Sequence, residues 1–273
     1  MEHPSDLLSA EVELVEEISP HRLRVHLSGG DLGRFEASGH ADQRIHLTLP
    51  GPDEEVRSYT VRAWDGEATR LSIDFGLHTA GPGVDWVRAA APGDVVRLTA
   101  GVGWFRPPAD LTWCLLVADL AGLPALEHVL ERLPENVETI AVVEVPEEAD
   151  LPSWDRVPTK VAAFTGSGHG QSASRLDGAV AGLTPPEGPG YVWAATEAAT
   201  SRAIRKHVRG VWGLELARYD ITGYWRADEE RWMERFVLVE AELDQVWDDA
   251  LAAGRSEDEA SEIYDEALER AGL

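Results

Sequence analysis

A short stretch of mixed chemistry, residues 57–62, lies in the first third of the chain. In it Arg57, Tyr59 and Thr60 supply a guanidinium fork, an aromatic face and a hydroxyl. At the two-residue period of a β-strand, Arg57 and Tyr59 point to one side, and Ser58 and Thr60 point to the other. These groups suit a flat ligand that carries phosphate, as a flavin dinucleotide does. An ordinary strand with a solvated arginine is the alternative, and the surrounding sequence must decide between the two.

A glycine-rich turn, Gly81-Pro82-Gly83, follows the hexapeptide and leads into a short predicted helix at residues 84–88. The unpaired backbone N–H groups at a helix start form a natural phosphate site. Together with Arg57, this helix start would hold a pyrophosphate from two sides. A plain turn is the alternative interpretation.

The residues around both motifs alternate between apolar and polar types, a period that is typical of half-buried strands. Clusters of glycine, proline and aspartate separate the alternating runs, as turns do. About six short strands at this spacing predict a small antiparallel barrel over residues 1–110. The apolar positions that carry the pattern are Leu23, Val25, Leu27, Ile45, Leu47, Leu49, Leu71, Ile73, Phe75, Val95, Val96 and Leu98.

Beyond a loop with Pro107 and Pro108, apolar runs alternate with segments of helical spacing. Strands that alternate with helices indicate a parallel, doubly wound sheet. We therefore predict a nucleotide-binding-like α/β domain at residues 111–228, with its boundary to the barrel near residues 105–112. The apolar runs are residues 113–118, 137–145, 161–164, 191–195 and 216–225, and the helical segments are residues 123–133, 173–183 and 197–212.

Residues 229–273 form a predicted acidic helical extension. One amphipathic helix is predicted at residues 230–253, where Gly254 ends it, and a second begins at the capping box Ser256 to Glu259. Residues 240–273 contain twelve acidic residues and two arginines. We interpret this local charge as an aid to solubility or salt tolerance.

The formal net charge of −25 opposes binding to nucleic acids or anionic membranes, because long-range repulsion would slow the encounter. No apolar run approaches the ~18 residues that a membrane helix needs, and residues 1–6 lack the basic segment of a secretory signal. We therefore expect a cytoplasmic protein, and we predict a monomer. The single cysteine, Cys114, lies in an apolar run and is predicted to be a buried, inert thiol.

Several other chemistries lack the residues that they need. The nine histidines show no H-x-x-x-H or H-E-x-x-H spacing, and one cysteine cannot build a zinc or iron–sulfur site. No Walker loop and no G-x-S-x-G elbow is present in the sequence. We expect no resident metal.

The order of motifs carries more information than any one of them. The hexapeptide is followed by Asp-Phe-Gly-Leu-His at residues 74–78, by the glycine-rich turn, by Ala-Pro-Gly-Asp at residues 91–94, and much later by Gly-Tyr-Trp-Arg at residues 223–226. From residue 11 to residue 226 this order resembles the siderophore-interacting protein family, which are FAD-containing ferric-siderophore reductases related to ferredoxin-reductase-like flavoproteins. The resemblance implies an FAD site formed by Arg57, Ser58, Tyr59, Thr60, Asp74, His78, Gly81, Gly83 and Val84.

In an open α/β sheet, ligands bind beyond the carboxyl ends of the strands. Asp119 follows the first predicted strand of this sheet, and Thr196 and Glu197 follow a later one, so we expect them at a crevice that faces the barrel. The resemblance implies that Asp119, Glu197 and Trp225 lie on the reductant or substrate side. The chain lacks the Glu and Thr that the family usually carries after this aspartate, so NADH, NADPH and ferredoxin all stay open as electron donors. Helix capping is the alternative role for Asp119 and Thr196.

A basic stripe stands out against the acidic background. Arg202, Arg205, Lys206 and Arg209 share one face of the helix predicted at residues 197–212. A solvated helix face is one interpretation. An anion site for the ribose phosphate of NADPH, an anionic siderophore or an acidic ferredoxin is the second. The third is that the acidic extension folds over the stripe.

These observations predict a flavin-dependent reductase in which the barrel binds FAD and the α/β domain presents NAD(P)H or ferredoxin. Electrons would pass through FAD to a ferric siderophore and release Fe(II), without a catalytic side chain. The charge of −25 favours near-neutral or cationic ferric hydroxamates over anionic catecholates. The alternative is an FAD-binding redox partner or sensor that does not turn over siderophores.

Overall fold

The computed structural model describes residues 7–50, 54, 56–78 and 81–273, and for Asp258 it describes the backbone alone. The start of the chain, residues 1–6, for which the sequence predicts no secretory signal, lies outside the described residues. The chain divides into two compact units, Met1–Trp225 and Arg226–Leu273.

Six antiparallel strands close into a barrel in the first unit. The strand order around the barrel is β1-β2-β5-β4-β3-β6, and helix α1 connects β5 to β6. This confirms the predicted six-stranded antiparallel barrel. The elements are β1 (Leu8–Ser19), β2 (Arg22–Ser28), β3 (Arg44–Thr48), β4 (Val56–Asp65), β5 (Arg70–Gly76), α1 (Pro82–Ala89) and β6 (Val95–Leu98).

The barrel core consists of the apolar residues that alternate along the strands. Val25 and Leu27 of β2, Leu47 of β3 and Ile73 of β5 have no or almost no exposed surface. In each strand, the residues that alternate with these apolar residues point away from the core, as the pleat of a strand requires. The two-residue period therefore fixes which side of each strand is left for polar side chains and ligands.

Five parallel strands with helices on both faces follow the barrel, in the order β11-β10-β7-β8-β9. This confirms the predicted doubly wound sheet. Helix α2 packs on one face through Leu126 and Val129, and helices α3 and α4 pack on the other through Leu176 and Ile204. The elements are β7 (Trp113–Ala118), α2 (Leu123–Arg132), β8 (Glu138–Val145), β9 (Lys160–Thr165), α3 (Leu176–Ala181), β10 (Gly190–Glu197), α4 (Ala198–Gly210) and β11 (Tyr219–Trp225).

The strand order reverses between β7 and β10, because the chain adds β8 and β9 on one side of β7 and then β10 and β11 on the other. The loops after β7 and β10 therefore diverge at this point and leave a crevice, which is where ligands bind in such sheets. Cys114 lies in β7 and is fully buried, as predicted, and burial raises the pKa of its thiol.

The second unit contains three helices, α5 (Glu229–Phe236), α6 (Glu240–Ala252) and α7 (Glu257–Arg270). The prediction of one helix at residues 230–253 is wrong, because the chain turns between α5 and α6 at Val237 and Val239. Valine is a weak helix former, and the turn lets Phe236 pack with Leu243 and Leu268 in the core of this unit.

The predicted capping box at the start of α7 is confirmed. Ser256 Oγ accepts a hydrogen bond from the Glu259 backbone N–H at 3.2 Å, and Glu259 Oε2 accepts one from the Ser256 N–H at 3.0 Å. Among the helices that the structure describes, none has both the length and the apolar character needed to cross a membrane.

Candidate functional site

The hexapeptide forms the first half of β4, as predicted. The Tyr59 ring packs against the barrel core, with its centroid 4.2 Å from that of Phe75. On the other side of the strand, Ser58 Oγ lies 3.0 Å from His46 Nδ1. Arg57 is partly buried, and its Nη1 donates to the Val56 carbonyl at 3.4 Å.

Thr60 is the polar residue of this strand that is most completely buried, with 5% of its surface exposed. Its hydroxyl has no hydrogen-bond partner among the described residues. The hydroxyl of Tyr224 also lacks a partner there, and it lies close enough to Thr60 that this hydroxyl opposes the rise that burial causes in the pKa of Tyr224. A buried hydroxyl without a partner is costly, so this position favours a ligand that donates or accepts a hydrogen bond.

The start of α1 lies against the hexapeptide. Gly81 occupies the N-cap position at φ 139°, a conformation that strongly favours glycine. A Cβ at position 83 would collide with the Tyr59 hydroxyl, so only glycine lets Tyr59 keep this position. The next residue, Val84, is buried in the barrel core. Residues 79 and 80, which precede this turn, lie outside the described part of the chain.

These features fit FAD. A helix start whose N-cap residue has no side chain suits a pyrophosphate, and Arg57 adds a guanidinium on the neighbouring strand. Thr60 offers an unsatisfied hydroxyl and Tyr59 an aromatic ring in the same strand.

Asp74, which the resemblance implied as an FAD ligand, is engaged in ion pairs. Both of its oxygens accept from Arg24, at 2.5 and 2.9 Å, and Arg22 Nη1 lies 4.0 Å away. Arg22 and Arg62 also pair with Glu127 of α2, at 3.0 and 3.3 Å. These charges join the barrel to the first helix of the α/β domain.

His78 follows β5 and packs against Trp225, the last residue of β11, with ring centroids 4.5 Å apart. Its Nδ1 is buried without a partner among the described residues. Burial, with a smaller contribution from His169, lowers the pKa of His78 to about 4. The imidazole is therefore neutral at physiological pH.

Asp119 lies at the switch point between β7 and β10 and is 2% exposed. Its carboxylate accepts from the backbone N–H groups of Ala121 and Gly122, from the Glu197 N–H, and from Trp225 Nε1. Asp119 thus stabilises the start of α2 and also fixes the position of the Trp225 side chain at the crevice. Burial raises the pKa of Asp119 to about 7, and the hydrogen bond from Trp225 opposes that rise.

The last two residues of β10, Thr196 and Glu197, make structural contacts. Glu197 is the N-cap of α4, where its side chain accepts from the N–H groups of Ala199 and Thr200 at 2.7 and 3.2 Å. Thr196 Oγ1 lies 2.8 Å from Ser201 Oγ.

Helix α4 carries all four residues of the basic stripe. Arg205 donates to the Ile221 carbonyl of β11. The other members, Arg202, Lys206 and Arg209, lie on the same helix, and their functional role stays a prediction.

Two groups of residues near the site have no counterpart in the sequence-based prediction. Arg44 lies opposite Thr60 in the β3–β4 pairing, and its guanidinium packs between the rings of Trp104 and Tyr224, at 4.4 and 4.8 Å. Only the strand register brings these residues together, so no local signal could have identified them.

The second group is a set of histidines. His169 is buried in the loop after β9, and its ring lies 6.0 Å from that of His21, which in turn lies 2.8 Å from Asp150. In the sequence, residues 166–170 form a glycine-rich segment that is typical of a loop. The signal in the sequence that could have identified His169 as a candidate site residue is its position just after the carboxyl end of a predicted strand.

Two family models match the chain. The siderophore-interacting FAD-binding domain matches residues 51–103, and the siderophore-interacting protein model matches residues 111–228. Together they span more than half of the chain. This chain belongs to the siderophore-interacting protein family. Its barrel is an FAD-binding domain of that family, and its fold is that of the ferredoxin-reductase-like proteins.

Proteins with similar sequences include two kinds. Ferric vibriobactin reductase ViuB of Vibrio cholerae is 27% identical over 254 residues, which cover 83% of this chain and 93% of that protein. Mycobactin import ATP-binding/permease protein IrtA of Mycobacterium tuberculosis is 24% identical over 220 residues, which cover 77% of this chain. The match spans 25% of the length of IrtA, so the chain corresponds to about a quarter of that protein.

Solved structures support the same fold. A siderophore utilization protein from T. fusca superposes with a TM-score of 0.71 at 28% identity, over 82% of this chain and 94% of that one. A ferredoxin NADP+ reductase from Neisseria gonorrhoeae superposes with a TM-score of 0.60 at 13% identity, over 81% and 99% of the two chains, and indicates the fold alone.

Proposed function

We propose that this member of the siderophore-interacting protein family is an FAD-dependent reductase that passes electrons from NAD(P)H or ferredoxin to a ferric siderophore and releases Fe(II). The observation that carries the proposal is the buried Thr60 hydroxyl, which lacks a partner among the described residues, on the strand whose Tyr59 lies against the start of α1, in the segment that matches the family's FAD-binding model. The similarity to a ferric vibriobactin reductase adds support for the reaction class.

In this proposal the barrel binds and orients the cofactor. Arg57 and the N–H groups at the start of α1 bind the pyrophosphate, Tyr59 supplies an aromatic contact, and Thr60 supplies a hydrogen bond. When bound, FAD accepts electrons in pairs and releases them singly, which is the chemistry that reduction of ferric iron needs. Fe(II) carries less charge than Fe(III), so hard oxygen ligands hold it less tightly and the iron leaves the siderophore.

The donor side of the proposal is the crevice at the switch point of the α/β sheet. Asp119, Glu197 and Trp225 border it, and α4 carries the basic stripe. Four cations on one helix suit the ribose phosphate of NADPH or an acidic ferredoxin. NADH stays a third candidate donor.

The substrate class follows from charge. A chain with a net charge of −25 repels the strongly anionic ferric tris-catecholates and tolerates near-neutral ferric hydroxamates. We therefore propose ferric hydroxamates as the preferred substrates.

The visible spectrum of the purified protein tests this function. We expect a flavin spectrum that is bleached anaerobically by NADH, NADPH or reduced ferredoxin, and that returns when a ferric siderophore is added together with a chelator that reports Fe(II). Arg57→Ala should lose FAD. Its matched control is Arg34→Ala, which makes the same change at a 69% exposed side chain of the barrel. Protein that neither contains nor binds FAD would refute the proposal.

A second candidate is an FAD-binding redox partner or sensor. It is favoured by the engagement of Asp119 with four N–H donors and by the capping role of Glu197, since both side chains then serve the fold as well as the crevice. Bound flavin that none of the three donors reduces, or reduced flavin that no ferric siderophore reoxidises, would support this candidate.

A further inference from the structure

Four residues from separate parts of the chain meet at the crevice. Trp225 Nε1 donates to Asp119 Oδ2 at 2.7 Å, and the Trp225 ring lies against the His78 ring at an interplanar angle of 31°. Gly170, in the loop after β9, approaches so closely that a Cβ there would lie 3.2 Å from the indole. The indole is therefore held at its nitrogen, on its face and at its far edge.

Asp119 is a rigid anchor for that indole. Besides the Trp225 N–H, it accepts three backbone N–H groups, from Ala121, Gly122 and Glu197 at 3.0, 3.3 and 2.8 Å. A carboxylate that accepts four hydrogen bonds in a buried position cannot rotate without breaking several of them. The orientation of Trp225 is thus tied to the backbone at the switch point.

The Trp225 indole in turn covers one side of the His78 ring. The His78 ring is largely buried, and burial is the main cause of its lowered pKa. The charged or titratable group that faces it is His169, and the next is His21, which is paired with Asp150. The His169 ring opposes a charge on His78 and the His169 backbone favours one, and burial outweighs both, so the imidazole stays neutral as long as water is excluded.

We propose that Asp119 is a positioning residue that holds Trp225 against His78, shields the His78 ring from water, and thereby keeps the midpoint potential of bound FAD low. The effect on FAD rests on the proposed function. A cation beside a group that gains negative charge on reduction stabilises the reduced form and weakens it as a reductant. Ferric iron held by hard oxygen ligands is difficult to reduce, so a neutral imidazole serves the reaction.

Two substitutions break the contact from opposite sides. Asp119→Asn keeps the shape of the side chain but places an NH2 group either against the N–H groups of Trp225 and Glu197, which share Oδ2, or against those of Ala121 and Gly122, which share Oδ1. Either orientation breaks two of the four hydrogen bonds that fix the side chain. Trp225→Phe keeps Asp119 with its three backbone hydrogen bonds and removes the indole donor. The matched control is Trp113→Phe, which removes an indole N–H donated to the Gly188 carbonyl at 3.1 Å elsewhere in the same sheet.

Histidine NMR on the full chain, with and without FAD, gives the first readout. We expect Asp119→Asn and Trp225→Phe each to raise the proton affinity of His78 by about tenfold or more, toward that of a solvated imidazole, and Trp113→Phe to leave it unchanged. If His78 titrates in both variants as it does in the unaltered protein, the inference is wrong. Trp225→Phe still decides the matter if Asp119→Asn does not fold.

The midpoint potential of bound FAD gives the second readout. We expect it to become more positive in both variants at pH 6, where the released His78 carries charge, and to change less at pH 8. A raised proton affinity of His78 with an unchanged potential would overturn the redox part of the inference. A chain that binds no FAD would refute the proposed function, while the titration of His78 in the FAD-free chain would still decide the role of Asp119.

Discussion

Thr60 is buried on β4 with a hydroxyl that has no partner among the described residues. Such a group costs roughly 1–3 kcal/mol when it stays unsatisfied. Its retention in the folded chain makes physical sense if a ligand completes its hydrogen bonding.

Thr60→Val tests whether a ligand completes the hydrogen bonding of Thr60, because valine keeps the shape of the side chain and removes the hydroxyl. We expect FAD affinity to fall by roughly tenfold, which corresponds to one lost hydrogen bond. We also expect the FAD-free chain to be as stable as before, or more stable. Thr60→Ser is the control and should retain binding, as measured by fluorescence titration with FAD and by urea unfolding. A loss of stability without loss of FAD affinity would assign Thr60 to the fold alone.

His78 makes the stability of the folded chain depend on pH. Its pKa in the folded chain is about 4, against 6.5 for a free imidazole, so the unfolded chain binds more protons between these values. Stability should therefore fall as the pH decreases from about 6.5 to about 4, and the loss due to His78 at pH 5 is about 2 kcal/mol. His78→Gln should remove this loss. Urea unfolding of both chains at pH 7.5 and pH 5 measures it, and an equal decrease in both would contradict the assignment.

At the scale of single elements, the start of α1 depends on the absence of a side chain at position 83. Gly83→Ala places a Cβ against the Tyr59 hydroxyl, so Tyr59 must move. We expect weaker FAD binding, by roughly tenfold, as Tyr59 leaves its place beside the helix start. Gly178→Ala in α3 is the control, since a Cβ there meets nothing within 4 Å. That change should leave FAD affinity unaltered and stabilise the helix.

The capping box of α7 makes a separate prediction for the second unit. Ser256→Ala removes the acceptor for the Glu259 N–H and should destabilise α7 by about 1 kcal/mol. Ser261→Ala, in the middle of the same helix, removes a serine without a cap and should be neutral or slightly stabilising. Hydrogen exchange in residues 257–270 measures both. Equal protection in the two variants would show that the box contributes little.

At the scale of the whole molecule, we expect net charge to discriminate between classes of ferric siderophore. At low ionic strength we expect a ferric hydroxamate to be reduced faster than a ferric tris-catecholate, because a charge of −25 repels the latter. The difference should shrink at roughly 1 M salt, where the screening length is about 3 Å. Steady-state Fe(II) release across a salt series checks this, and faster reduction of the catecholate at low salt would refute it.

Much of this architecture could be predicted from local patterns. The barrel strands and the alternating strands and helices of the doubly wound sheet follow from periods of two and of 3.6 residues, which each segment carries by itself. The hexapeptide and the glycine-rich turn could be identified as a candidate site, because their residue types are also visible within one short segment. The break between α5 and α6 could not, since residues 230–253 are amphipathic throughout and packing against α7 decides where the chain turns.

The sequence alone determined the candidate FAD-binding groups of β4 and of the start of α1, because residue type and strand alternation fix which groups these elements present. Only the tertiary structure decided how the polar residues are used. It occupies Asp74 with Arg24, places Arg44 beside Thr60, and joins Asp119 to Trp225 across 106 residues of chain. Such contacts depend on strand register and on the packing of distant segments, and neither is encoded in the local period of a sequence.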